Sequence, residues 1–283
     1  MANKDSLSDK AIEQGQVVDN PWRRLRSFTD ARIGLGRAGV SLPTQELLAF
    51  QLNHAQARDA VHLPLDVTAM QSQLAPYSDG EVLLAHSQAE NRIGYLQRPD
   101  LGRKLSQNSR DTLYQFTQQA SAKPNYDIAF AVVDGLSSLA VSQNSAPFIQ
   151  LLKSQLLEAN PACSFAPIIL VEQGRVAIGD DIGELLNAQI VIVLVGERPG
   201  LSSPDSLGLY LTWQPKSGLN DASRNCISNI RPAGLPYEEA AKRALYLITE
   251  AQKLKLSGVN LKDRTQDAVI EHKQSKQNFL IAD

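Results

Sequence analysis

The sequence predicts an α/β protein whose C-terminal domain is a doubly wound, mainly parallel sheet, preceded by a smaller, mostly helical N-terminal domain. Three observations carry this reading. Ile128-Ala129-Phe130-Ala131-Val132-Val133, Ile168-Ile169-Leu170-Val171 and the segment Ile190 to Val195 are continuous apolar runs, the pattern of strands buried on both faces of a parallel sheet. Helical segments from Pro147 to Leu157 and around Ile182 to Leu186 separate these runs, which gives a repeated β-α-β order and a Rossmann-like architecture. Before Lys123-Pro124 the pattern is different: Pro64, the Pro76 to Gly80 cluster and Pro99 to Gly102 cut the chain into short helices and loops.

Taken in order, residues 1–20 form a polar leader bearing Lys4, Asp5, Asp9, Lys10, Glu13 and Asp19, without the apolar stretch and cleavage site of a secretory signal. In the helical domain, 21–123, Leu47, Leu48, Leu52 and Ala55 recur at helical spacing, with Ser41 as a candidate cap and Pro43 near the first turn. A second helix is expected from Leu105 to Ala120. The sheet domain, 124–260, closes with a strong helix from Pro236 to Leu256, with Glu238 and Glu239 at its positive end and Ser257-Gly258 at its stop. Residues 261–283 read as a polar, solvated tail.

Composition narrows the function. The 283 residues hold 28 Lys plus Arg against 30 Asp plus Glu, a formal charge of −2, which argues against a general nucleic-acid binder. With 43% hydrophobic and 20% charged residues the chain is ordinary globular protein. The longest aliphatic run, Ile190 to Val195, is far short of the ~18 residues of a membrane helix. Cys163 and Cys226 form no CxxC, so a disulfide framework is not expected and a reducing cytoplasm fits. His54, His62, His86 and His272 show no HExxH or paired spacing, so no protein-ligated metal is expected. Ser137 and Ser138 lie outside any GxSxG elbow. No self-sufficient catalytic constellation emerges, and no residue is assigned as catalytic.

In an open sheet of this kind a ligand sits outside the carboxyl ends of the strands. There the sequence places Asp134-Gly135-Leu136-Ser137-Ser138, Glu172-Gln173-Gly174-Arg175-Val176 and Gly196-Glu197-Arg198-Pro199-Gly200, which should converge on one crevice. Glu197 directly follows a buried run, so it either pairs with Arg198 or another arginine or accepts hydrogen bonds in the crevice. Cys226 reads as a buried small hydrophobe, with a reactive thiol as the second reading. Gly34-Leu35-Gly36-Arg37-Ala38-Gly39 formally matches GxGxxG, but no strand precedes it, so a packing or docking loop is the simpler reading. Around it Arg23, Arg24, Arg26, Arg32 and Arg37 concentrate positive charge, either solvated or facing a phosphate or acidic partner.

Three segments taken together, Gly36-Arg37-Ala38-Gly39, Val195-Gly196-Glu197-Arg198-Pro199-Gly200-Leu201 and Cys226-Ile227-Ser228-Asn229-Ile230, carry a family resemblance. With Arg98-Pro99-Asp100-Leu101-Gly102-Arg103, Asp134-Gly135-Leu136-Ser137, Gly174-Arg175-Val176 and Ser257-Gly258-Val259 in the same order, the chain resembles the small subunit of ethanolamine ammonia-lyase from Pro21 to Val259.

The resemblance implies a partner-dependent enzyme that converts ethanolamine to acetaldehyde and ammonia by a radical mechanism using adenosylcobalamin. It implies a large subunit, a β/α barrel that binds most of the ethanolamine contacts, and a small subunit that helps enclose the corrinoid at the interface. Position by position, the corrinoid contacts it implies fall on Val176, Glu197 and Cys226. The leader is short beside members with a long extension tied to bacterial microcompartments, so the expected site is the cytoplasm, free or encapsulated. The alternative from a different class is a standalone nucleotide or phosphometabolite binding module using the same crevice.

Overall fold

The computed structural model describes residues 20–29, 31–119 and 125–265. The expectations for the leader up to Asp19, for the tail from Gln266 onward with His272, and for the last residue of the helix ending at Ala120 lie outside the described residues. The chain divides into two units, Met1–His54 and Ala55–Asp283.

In the first unit a 3-10 turn, Pro21–Ser27, is capped by Asn20, whose side chain accepts from the Trp22 N–H at 3.1 Å. The glycine-rich loop follows, with Gly34, Gly36 and Gly39 at φ of 60°, 80° and 64°. A Cβ on Gly34 would stand 2.6 Å from the Trp22 carbonyl oxygen, so glycine is needed there for backbone packing, and among the described residues no strand leads into the loop. Arg23 and Arg26 converge on Glu46 at 3.6 and 2.7 Å, and Arg32 lies over the Phe50 ring at 5.9 Å. Part of the arginine cluster is therefore engaged inside the unit. Helix α1 (Thr44–His62) follows Pro43 as the spacing predicts, yet Leu47, Leu48 and Leu52 are 43%, 59% and 59% exposed.

The second unit is built on a six-stranded sheet of order β1-β3-β2-β4-β5-β6. Its strands are β1 (Leu83–His86), β2 (Tyr126–Val133), β3 (Ile169–Glu172), β4 (Ala188–Gly196), β5 (Leu207–Trp213) and β6 (Arg224–Ile230). The first four are parallel. β5 runs antiparallel to β4, and β6 antiparallel to β5. The sheet is thus mixed rather than mainly parallel. The reason is the connection after β4: the ten residues from Glu197 to Ser206 hold no crossover helix, and a parallel return needs one.

Both faces of the sheet are covered. On one face Ile128, Phe130 and Val132 of β2 and Ile190, Ile192 and Leu194 of β4 pack with α2 (Val67–Leu74), α5 (Ser138–Ala159) and α7 (Tyr237–Leu254). The alternate residues Ala129, Ala131, Val133, Val191, Val193 and Val195 face α4 (Gln107–Gln119) and α6 (Ile178–Leu185). This two-sided burial is why those strands read as unbroken apolar runs. α3 (Arg92–Gln97) is capped by Asn91, which accepts from the Gly94 N–H at 2.9 Å.

Two helix expectations are corrected. α5 starts at Ser138 rather than at Pro147, because Ser137 accepts from the Ala140 N–H at 3.1 Å and caps it; Pro147 lies inside the helix. The second helix is shorter than expected, since Leu105 pairs instead with Ser87 in an isolated bridge. Among the described residues no helix is long and apolar enough to cross a membrane.

Candidate functional site

After β2 the chain turns through Asp134-Gly135 into α5 toward β3, whereas after β4 it leaves toward β5 on the opposite side. Adjacent parallel strands whose connections diverge leave a crevice at their carboxyl ends. The two departing loops are stitched together there: the Leu136 N–H donates to the Gly196 carbonyl at 2.8 Å. Beneath them Asp134 is buried, accepts from the Gly174 N–H at 3.1 Å and faces Arg92 at 3.6 Å. Burial pushes the Asp134 carboxyl up to about 6, against the opposing pull of backbone N–H groups and Arg92. Arg92 ties this floor to its surroundings by donating to the carbonyls of Gly135 at 2.8 Å and Val61 at 2.7 Å.

The loop from Glu197 to Ser206 is folded back onto α5. Ser137 donates to the Pro204 carbonyl at 2.7 Å and Asn144 to the Asp205 carbonyl at 2.8 Å. Glu197, half-buried at the root of the loop, accepts from Ser228 on Oε1 at 2.6 Å, and on Oε2 from Ser206 at 2.5 Å and the Asn229 N–H at 3.1 Å. Asn229 reaches this position through a left-handed φ of 61° beside the register shift between β5 and β6. Of the two readings of Glu197, hydrogen bonding holds, and no ion pair with Arg198 forms among the described residues. A carboxylate offers about four acceptor positions, so one remains open, on Oε1.

Two cavities open at this edge. The larger, about 430 Å³, is lined among others by Gly135, Leu136, Glu197, Arg198 and Ser228; the smaller, about 350 Å³, by Arg103, Asp221, Arg224 and Cys226. Arg175, Val176 and Tyr210 belong to the walls of both. The structure thereby brings Val176, Glu197 and Cys226 into adjoining walls, although they come from the loop after β3, the loop after β4 and the interior of β6.

Cys226 is exposed, not buried; Cys163 is the buried cysteine. The reason is register: Cys226 pairs with Tyr210 on the sheet face that opens into the cavities, while Ile227 turns into the core. Partial desolvation raises the Cys226 thiol, and the Tyr210 hydroxyl, which bonds to that sulfur, is raised as well, first by desolvation. Tyr95 and Tyr210 are wall residues that sequence reasoning missed, whereas Arg175 lies in a strand-end segment expected at the crevice. The Arg92 and Arg175 guanidiniums lie 4.8 and 4.4 Å from the Tyr95 ring centre, and burial pushes the Tyr95 hydroxyl up to about 12. For Arg175 a signal existed, since it stands beside Val176 at a strand end. Among the described residues no three of His, Cys, Asp and Glu converge as metal ligands.

The family model for the ethanolamine ammonia-lyase light chain matches residues 19–262. The chain belongs to this family. Relatives bearing the name ethanolamine ammonia-lyase small subunit span nearly its whole length. The protein of Pseudomonas fluorescens strain Pf0-1 is 56% identical, covering 93% of this chain and 95% of the relative. That of Pseudomonas aeruginosa strain UCBPP-PA14 is 51% identical, covering 98% and 99%. That of Pseudomonas syringae pv. tomato is 54% identical, covering 96% and 94%. The light-chain match includes every wall residue of both cavities, and a lyase subunit accounts for a crevice without a complete catalytic set.

Proposed function

We propose that the chain is the small subunit of an adenosylcobalamin-dependent ethanolamine ammonia-lyase, and that its crevice holds one edge of the corrinoid against a large subunit that binds the ethanolamine. The observation that carries this reading is the meeting of Val176, Glu197 and Cys226 in the walls of two cavities that share Arg175, Val176 and Tyr210. The residues fit the group. An apolar macrocycle fringed with amides needs aliphatic and aromatic surface plus a few acceptors and donors. The walls offer Leu136, Val176 and Tyr210, and the open acceptor on Glu197 Oε1. When bound, adenosylcobalamin supplies radical chemistry through its cobalt–carbon bond. Glu197 accepts an amide N–H, and Val176 and Cys226 give apolar contact.

On this reading the doubly wound half, β1 to β4, is a Rossmann-like core with β5 and β6 as an antiparallel extension. Residues 21–123 dock the large subunit, residues 124–260 face the corrinoid, and the complex works in the cytoplasm, free or in a bacterial microcompartment, without nucleic acid or membrane.

Glu197→Gln weakens corrinoid binding by the assembled complex about tenfold, the worth of one charged hydrogen bond. Serine hydroxyls rotate to accept as well as donate, so the glutamine amide can take the Oε1 position with the fold intact. The open acceptor then becomes a donor. Equilibrium dialysis with cobalamin, beside an unchanged thermal midpoint, checks this; unaltered affinity refutes it. The reading as a whole is tested by ammonia release from ethanolamine in the dark, with adenosylcobalamin and the large subunit, with and without this chain. Activity that requires both proteins supports it. A folded, co-purifying pair without activity overturns the substrate.

A further inference from the structure

The cavity walls carry positive charge for which the amide edge of a corrin has no use. At the smaller cavity Arg224 is matched by Asp180 and Asp221, and Arg103 faces Asp221 at 3.6 Å. Arg175, which lines both cavities, has no such partner among the described residues: the nearby Asp134 is engaged by Arg92. Its guanidinium gives one N–H to the Tyr95 carbonyl at 3.2 Å, and its Nε is buried with nothing to bond. Arg198, exposed on the wall of the larger cavity, makes no ion pair among the described residues.

The Arg175 fork is also held in place before any ligand arrives. Its guanidinium stacks 4.4 Å from the Tyr95 ring centre, its own N–H donates to the Gly102 carbonyl at 2.7 Å, and a Cβ on Gly102 would stand 2.8 Å from Arg175 Cγ. The buried Nε is out of reach of a ligand; the group left for one is Nη1, which makes no hydrogen bond among the described residues. Two guanidiniums without ion pairs among the described residues outweigh the one carboxylate of that wall, Glu197, and suit a phosphodiester, which spreads a full charge over two oxygens, better than a neutral amide.

We propose that Arg175 and Arg198 form the subsite for the phosphodiester that links the corrin to its nucleotide in cobalamin, so that the small subunit grips the nucleotide side of the cofactor. This rests on the cofactor reading above.

Three probes separate the phosphate from the rest of the ligand: cyanocobalamin, cobinamide phosphate and cobinamide, each titrated by equilibrium dialysis into the assembled two-subunit complex. Arg198→Gln, on an exposed side chain, and Arg175→Met should each lose about tenfold affinity for the first two probes and less than twofold for cobinamide. Arg175→Lys should recover part of the loss, and the penalty should shrink in high salt. Equal losses for all three probes, or none for cobalamin, overturn the subsite. Should the wild-type complex bind cobinamide and cobalamin while both variants stay unaffected, the cofactor reading stands and the subsite alone falls. Should it bind no corrinoid, both fall.

Discussion

Replacing Gly196 by alanine is expected to destabilise the protein by about 3 kcal/mol and to abolish corrinoid binding, because the added methyl group has nowhere to go. Its Cβ would lie 2.1 Å from the Ser137 carbonyl oxygen and 2.6 Å from that of Asp134. Both obstacles are backbone, held by the capped start of α5 and by the buried Asp134, so neither can yield without opening the crevice. Gly39→Ala is the contrasting control: its φ of 64° carries a left-handed backbone penalty that Gly196, a β4 residue, does not, but its Cβ would meet nothing within 4 Å, so it should cost only about 1–2 kcal/mol. Urea unfolding of both variants decides the matter, and a Gly196→Ala midpoint no lower than that of Gly39→Ala would refute the packing argument.

Arg224→Met should cost about 3–5 kcal/mol, since it strands a buried carboxylate. Arg224 and Asp180 are paired across α6 and β6, each side chain only 2% exposed, and Asp180 Oδ1 already lacks a partner. Burial pushes the Asp180 carboxyl from 3.8 up to about 6 even with Arg224 beside it, Asp181 and Asp221 adding in the same direction. A carboxyl raised in the folded state binds its proton more readily there than in the unfolded chain. Its contribution to stability is therefore complete below pH 3.8 and is lost as pH rises through about 6. Without the arginine the carboxyl moves higher still. The deficit of the variant should then be largest near pH 8 and shrink toward pH 5, where protonation removes the stranded charge. Denaturant unfolding at the two pH values measures this; equal deficits would refute the ion-pair account.

The strands β2, β3 and β4 were legible because two-sided burial leaves an unbroken apolar run, and their carboxyl ends located the crevice before any contact was known. β5 was legible in principle, since Leu207, Leu209 and Leu211 alternate onto one core face, but Tyr210, partly buried on the other side, blurs the alternation. β6 was not. Arg224, Asn225, Cys226, Ser228 and Asn229 read as loop because this strand carries the groups that clamp Glu197, engage Asp180 and line a cavity. Local pattern fails where the residues are chosen for the site rather than for the sheet. The start of α5 was hidden for a related reason: its first turns hold Ser142, Asn144 and Ser145, and the proline further along was the stronger signal. Val176, Glu197 and Cys226 rested on motif resemblance. Arg175 was expected at the crevice from its place after β3, but Tyr95 and Tyr210 join them only through tertiary packing, which spacing does not encode.

The antiparallel return of β5 and β6 also fixes when the ligand side can exist. Glu197 takes its hydrogen bonds from Ser206, Ser228 and Asn229, all later in the chain. A nascent chain emerging from the ribosome completes β2, β3 and β4 first and can close the floor of the crevice while Glu197 is still without its clamp. The clamp forms after β6 has emerged, and the core face beneath β5 and β6 is covered only once α7 has followed. On the proposed function, binding at this edge waits until α7 has emerged, and a product cut short before residue 230 lacks the clamp on Glu197.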